Sequence, residues 1–218
     1  MTTIILASLG NGLFGVSQLK VKNYITQDER VKPVPYGPDF RSDSLGYGFV
    51  DLKDNPDRVT EIVEARDLPG LQRLLRFFAS RDSPFFSIGC EKAVSDQGGS
   101  RFAVGGYVEF AFNFPTLAHF ENYEMLQKGF EKKLVKARVS GLQYFEWKVS
   151  PIDLSRVKIR MMSCTVWIGL SELPSKDLAA KRYDEALRIL ASYFEGIVFP
   201  PSPQGQIFGG GAEGREVQ

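Results

Sequence analysis

The side chains best placed to do chemistry are two carboxylates and a phenol spaced by twos along neighbouring strand-like segments. Residues 85–94 and 101–113 each alternate apolar and small or polar side chains, and 95–99 reads as the turn between them. One face of this hairpin, Phe86, Ile88 and Cys90 with Phe102, Val104, Val108, Phe110 and Phe112, suits burial under helices. The other presents Ser87, Gly89 and Glu91 beside Ala103, Gly105, Tyr107, Glu109 and Ala111. A carboxylate pair is the acid–base equipment of glycoside hydrolysis, where the separation decides the chemistry. The rest of this face is small and flat, and interior strand glycines mark the close approach of a ligand or another backbone. Three readings follow. The chain's own N-terminal hairpin or proline-rich arm covers the face; a second protein chain covers it; or it floors a small-molecule cleft with Glu91 and Glu109 as acid and base. The Gly105-Gly106 pair also suits a β-bulge.

A second group of candidates is basic. Residues 142–150 and 157–169 read as another hairpin, turning at 151–153, with Phe145, Trp147 and Val149 matched to Val157, Ile159 and Met161 as its core face. The opposite side shows Glu146 and Lys148 beside Arg156, Lys158 and Arg160, while the preceding helix ends in Lys128, Lys132, Lys133, Lys136 and Arg138. Together these make a patch able to neutralise phosphates, a nucleic-acid reading. Helix macrodipoles and solvated sheet faces account for the same charges without a ligand, and Tyr144 is the one aromatic interleaved for base stacking.

Other chemistries lack parts. Gly10-Asn11-Gly12-Leu13-Phe14-Gly15 has the dinucleotide spacing, but Leu19 and Val21 then alternate with polar residues instead of opening a helix, so residues 3–9 and 13–22 read as a hairpin. Cys90 and Cys164 lie in apolar alternating stretches, as buried thiols do. His119 is the single histidine, so multi-histidine and Cys-His metal sites lack ligands, and no nucleophile signature accompanies it. No cofactor is expected.

The elements that must position these side chains follow one pattern three times, strand–strand–helix. The first unit has strands at 45–53 and 59–65 and a helix opened by Asp67 with Pro69 in its first turn, carrying Leu71, Leu74, Leu75 and Phe78 on one face. Helices beginning near Pro115 and running to about Lys136, and after Ser175 running to Phe194, complete the other two. The expected fold is α+β, a mainly antiparallel sheet of about three ββα units with helices on one face, plus the N-terminal hairpin. Residues 31–40, with three prolines, form an extended arm bearing Tyr36 and Phe40. Residues 1–196 read as one domain, with 1–82 and 83–196 as alternative subdomains, and 197–218 as a flexible Pro/Gly-rich tail whose two apolar residues, Ile207 and Phe208, either carry no role or anchor it to a partner. At Met161-Met162 the apolar face passes from odd to even positions, the mark of a bulge or a switch of burial.

Composition sets the outer bounds. With 27 Lys+Arg against 26 Asp+Glu and 43% hydrophobic residues, the chain is globular and carries no global field toward nucleic acid or anionic lipid. Residues 1–8 lack the basic, long-apolar pattern of a signal peptide, and no stretch reaches the length of a membrane helix. The expectation is a cytoplasmic, non-catalytic interaction or assembly protein bound to another chain, its own or a different one. The alternatives are a small-molecule cleft beside Glu91, Tyr107 and Glu109, and nucleic-acid binding through the basic strand and helix end.

Overall fold

Two long amphipathic hairpins build the centre of the molecule, whose computed structural model describes residues 21–38, 48–136, 138–198 and 207. In chain order the elements are β1 (Lys22–Gln27), β2 (Lys32–Val34), α1 (Pro69–Ala79), β3 (Phe85–Gly98), β4 (Arg101–Phe112), α2 (Phe120–Leu134), β5 (Leu142–Leu154), β6 (Ile159–Leu173) and α3 (Lys176–Glu195). They form a six-stranded sheet in the order β1-β5-β6-β4-β3, with β2 beside the far end of β5. The sheet is mainly antiparallel, but β1 and β2 both run parallel to β5, so it is mixed. Pro151 sits where this edge is interrupted: Gln27 faces Val149 and Lys32 faces Ile152, so its missing N–H removes no ladder bond to β1 or β2.

The three helices pack on one face. Phe78 of α1 stacks on Phe110 with centroids 5.2 Å apart, Phe130 of α2 meets Phe145 at 4.8 Å, and Phe194 of α3 lies 5.0 Å from Phe110. Each buried aromatic contributes roughly 2–3 kcal/mol through the apolar area withdrawn from water. Buried apolar residues from Val34 to Phe194 make one continuous cluster. The N-terminus of α1 is capped from another helix: the Asp184 carboxylate accepts from the Gly70 N–H at 2.6 Å and from Arg188 Nε at 2.7 Å. A side chain at Gly70 would meet the Asp184 carbonyl at 2.7 Å, so the glycine sets how closely α1 and α3 approach. Ser175 caps α3 by accepting from the Leu178 N–H.

Several expected elements differ. No strand forms among the described residues of 45–65; 56–61 and 63–65 are 3-10 turns, started by Pro56 in the first. Residue 68 occupies the cap position of α1, one later than the Asp67 expected. A 3-10 turn at Pro115–Leu117 precedes α2. The β5–β6 turn falls at 155–158 instead of 151–153, which pairs Trp147 with Val166 and sends Ile159 and Met161 to the face opposite the helices. The residues 3–9 and nearly all of 13–22, the glycine motif at 10–15, Phe40 and Phe208 lie outside the described residues. Ile207 packs against the core and donates its N–H to the Asn113 carbonyl at 3.0 Å, so at that point the tail returns to its own domain.

Met161-Met162 follows from burial on both sides of the sheet. The ladder runs without interruption from Ile159 to Ile168. Met161 enters a second apolar layer with Ile152, Leu154 and Phe86, and Val34, paired with Leu154 on β2, and Leu52 are buried with it. Behind this layer the ammonium of Lys53, 6% exposed, donates to the carbonyls of Phe78, Ser80, Ser83 and Phe85 at 2.6–3.2 Å and ties the covering loop to the end of α1. Burial pushes its pKa down from 10.5 to about 8. Between those values the unfolded chain holds a proton that the folded chain has released, so the contribution of Lys53 to stability rises with pH across this window. Urea denaturation at pH 7.5, 9 and 10 is expected to show the wild type gaining stability relative to Lys53→Met as pH rises, on top of the loss both share as the buried thiols and phenols would ionise in the unfolded chain; parallel profiles would contradict the assignment.

Candidate functional site: the open half of the sheet face

The sheet surface away from the helices is divided. At the β2 end Val34, Leu52, Phe86, Ile152, Leu154 and Met161 are all buried. Two contacts mark the boundary of the covered half. Lys32 Nζ donates to Glu109 Oε1 at 2.7 Å, with Ser163 Oγ donating to the same oxygen at 2.8 Å. Tyr36 donates its hydroxyl to the Ile88 carbonyl at 3.0 Å, and a side chain at Gly89 would lie 2.6 Å from that hydroxyl. The proline-rich arm thus lies on the Gly89–Glu109 end of this face, and Gly89 is small because Tyr36 crosses it.

Beyond the boundary the face opens. Cross-strand register aligns two rows of side chains: Lys22, Tyr144, Gly169, Gly105 and Ala93 in one, and Tyr24, Glu146, Trp167, Tyr107 and Glu91 in the next. Tyr107 and Trp167 are half-buried and in contact, with centroids 4.7 Å apart and planes at 51°. Tyr144 lies over Gly169, where any side chain would collide with its ring, and Tyr24 stands 6.4 Å from it. Among the described residues nothing lies over Gly105: a methyl group there would have the Ile168 carbonyl, 3.9 Å away, as its nearest neighbour. The result is a shelf of rings with a floor of glycine and alanine.

Its electrostatics are acidic. Burial raises the phenol pKa of Tyr107, and the carboxylates of Glu109, Glu91 and Glu64 add to the shift; Tyr36 is raised by burial and by Tyr107, Glu109, Cys90 and Glu64. Tyr24 is raised by burial and by Glu146, whose carboxylate accepts from Thr26 Oγ1 at 2.9 Å. Lys32 compensates Glu109, and Lys148 is engaged by Asp28 at 2.8 Å. Glu64, Glu91 and Glu146 have no ion-pair partner among the described residues.

Of the residues singled out from sequence, Gly89, Glu91, Gly105, Tyr107 and Glu109 share this face, with Ala103 in the row beyond Gly105. Ser87 does not: a register shift between Ser87 and Gly89 pairs it with Phe110 on the helix side and moves Phe86 across. The Gly105-Gly106 pair is not a bulge, because both neighbouring ladders run straight through it. Glu91 is exposed, whereas Glu109 is 6% exposed and already bonded to Lys32 and Ser163, which is the placement of a structural carboxylate and not of a free acid or base. Burial pushes the Cys90 thiol up to about 12 and the Cys164 thiol well above its usual value, so both are inert protonated thiols. His119 is exposed at the cap position of α2. No group of three His, Cys, Asp or Glu able to hold a metal ion occurs among the described residues, and no helix among them is long and apolar enough to cross a membrane.

The basic residues are not brought together. Lys132, Lys133 and Lys136 end α2 near the start of β5, since Phe130 packs on Phe145. Arg156 and Lys158 lie in the turn at the other end of that 13-residue strand, and Arg160 just beyond it opposite Asp153. At about 3.3 Å per residue the two clusters stand roughly 30 Å apart. The sequence reading missed Tyr24, Trp167 and Lys32. Thr165, Trp167 and Gly169 alternate with the buried Cys164, Val166 and Ile168, so the signal for Trp167 was present once the register was known. Comparison with protein-family models, curated proteins and solved structures finds no match.

The two adjacent glycines make a sharp test of this geometry. A methyl at Gly106 would collide with the Glu91 carbonyl and with the hydroxyl of Tyr183, which α3 brings to the sheet. Gly106→Ala is therefore expected to cost about 2–4 kcal/mol through overpacking against backbone. Gly105→Ala, facing open space, is expected to be neutral or to stabilise by up to about 1 kcal/mol through lost chain entropy. Thermal or urea denaturation of both variants checks the contrast, and equal losses would contradict the face assignment.

Proposed function

We propose that this protein is a non-catalytic interaction protein, and that the open half of the sheet face is the surface on which another polypeptide docks. The observation that carries the reading is the shelf itself: the contact pairs Tyr24–Tyr144 and Trp167–Tyr107, with Tyr144 over Gly169 and with Gly105 and the exposed Ala93 uncovered beside them among the described residues. Aromatic residues are enriched at the centres of protein interfaces, where rigid rings bury large areas at small entropic cost. The small residues between them leave the sheet flat enough for an approaching backbone.

The competing readings have less support. A cleft enzyme using Glu91 and Glu109 needs both carboxylates free, and Glu109 is committed to holding Lys32. Nucleic-acid binding through Arg156, Lys158, Arg160, Lys132, Lys133 and Lys136 needs a continuous basic surface, and the two clusters occupy opposite ends of β5. Carboxylates beside Tyr107 and Trp167 would repel a phosphate backbone from the ring shelf.

A photo-cross-linking amino acid at Ala93, in the open row, tests the reading in cells that express the protein, with the same group at the exposed Lys181 of α3 as control. The expected result is one discrete polypeptide adduct, to a second copy or a different chain, from position 93 and not from 181. Gly105→Arg, whose Cβ would meet nothing nearer than the Ile168 carbonyl at 3.9 Å among the described residues, is expected to abolish it. No adduct at 93, equal yield at 181, or an adduct indifferent to the arginine would overturn the proposal.

A further inference from the structure

We infer that the corner where Tyr107 and Trp167 meet Glu91 and Glu146 receives a basic side chain, an ammonium or guanidinium group, presented by the docking polypeptide; this rests on the docking reading above. The two rings contact each other at 51°, so they offer two differently inclined ring surfaces to one guest. A ring face attracts a cation through its quadrupole, most strongly for tryptophan. Register places a carboxylate at each end of the pair: Glu91, exposed beside Tyr107 on β3, and Glu146 beside Trp167 on β5, whose oxygens accept from Thr26 Oγ1 at 2.9 Å and from the Tyr24 hydroxyl at 3.4 Å and whose charge still faces the rings without an ion pair among the described residues.

Charge complementarity selects the guest. Among the described residues, Lys32 holds Glu109 at 2.7 Å and Lys148 holds Asp28 at 2.8 Å. Lys22, exposed on β1, is a diagonal neighbour of Glu146 but stands four strands from β3, roughly 19 Å from Glu91 at about 4.8 Å per strand, so its charge falls on the β5 side and leaves Glu91 without a cation among the described residues. Glu64, close enough to act on the Tyr36 and Tyr107 phenols, adds a further uncompensated carboxylate at the β3 side. A purely apolar guest would desolvate Glu91 and Glu146 without return, and an anionic guest would be repelled. A basic side chain satisfies the carboxylates and uses the rings together.

Trp167 is its own reporter. The chain has two tryptophans, and Trp147 is fully buried in the helix-side core, so changes in emission and acrylamide quenching on adding a surface ligand belong to Trp167. Nonapeptides of arginine, of lysine, of glutamate and of glycine–serine, and tetramethylammonium, would be titrated into the full chain at physiological salt. The basic peptides are expected to protect Trp167 and to bind at least about tenfold more tightly than the acidic or neutral ones, a difference of the size cation–π contacts with paired carboxylates provide. Glu91→Gln and Glu146→Gln are each expected to weaken that binding by about three- to tenfold with unchanged thermal stability, while Glu131→Gln on the exposed side of α2 leaves it intact. Neutral or acidic peptides binding as well as basic ones, no protection by any peptide, or no effect of the glutamine variants would overturn the inference. The cross-link at Ala93 then still decides the docking reading separately. Tetramethylammonium binding as tightly as the peptides would reassign the corner to a small free cation and overturn the polypeptide source.

Discussion

The Lys32–Glu109 ion pair lies at the line on which this molecule is divided. Glu109 is a buried carboxylate in the middle of the sheet, and a buried charge is tolerable only when paired and hydrogen-bonded. Its partner comes from β2, at the start of the proline-rich arm, and the hydroxyl of Ser163 completes its bonding. The pair therefore holds the arm across one half of the sheet face and stops it short of the other. On the covered side the chain packs a second apolar layer; on the open side rings and carboxylates meet solvent.

The same sheet must satisfy close neighbours on both surfaces, and its glycines record where. Gly106 admits Tyr183 from α3, Gly89 admits Tyr36 from the arm, and Gly169 admits the ring of Tyr144. Gly105 admits nothing among the described residues, although it occupies the same strand as Gly106 and pairs directly with Gly169. A glycine in a central strand weakens it by roughly 0.5–1 kcal/mol unless something uses the space. That unused space, flanked by Tyr107 and Trp167 in the next row, is the physical core of the functional reading.

Much of the helix-side architecture was legible in the sequence because a single period governed it. The hairpins β3–β4 and β5–β6, the helices α1 and α3 and their apolar faces follow from alternation and i, i+3, i+4 spacing, with Pro69 and Ser175 marking starts. What failed did so where burial comes from both sides or from chain far away. The segment 56–65 has the β-branched residues of a strand, yet with Pro56 in its first turn it forms 3-10 turns packed against α1 and β3 instead of adding to the sheet edge. The parallel edge strands β1 and β2 depend on a partner more than 100 residues later, which no local pattern announces. Within the candidate site, Tyr107, Glu91 and Gly105 were visible by alternation along β3 and β4. Ser87 was hidden by one bulge, and Trp167 by the turn-like residues at 151–153, which point to a register that β5 and β6 do not adopt.

The central claim is that the open half-face is a covered surface in the working state of the protein. Hydroxyl-radical footprinting measures this directly, comparing oxidation of Trp167 and Tyr107 in the isolated chain with that in intact cells expressing it. Strong protection of both rings is expected in cells, with unchanged labelling of an exposed residue remote from the face, such as Met125 on α2. Equal oxidation of Trp167 and Tyr107 in both settings would contradict it.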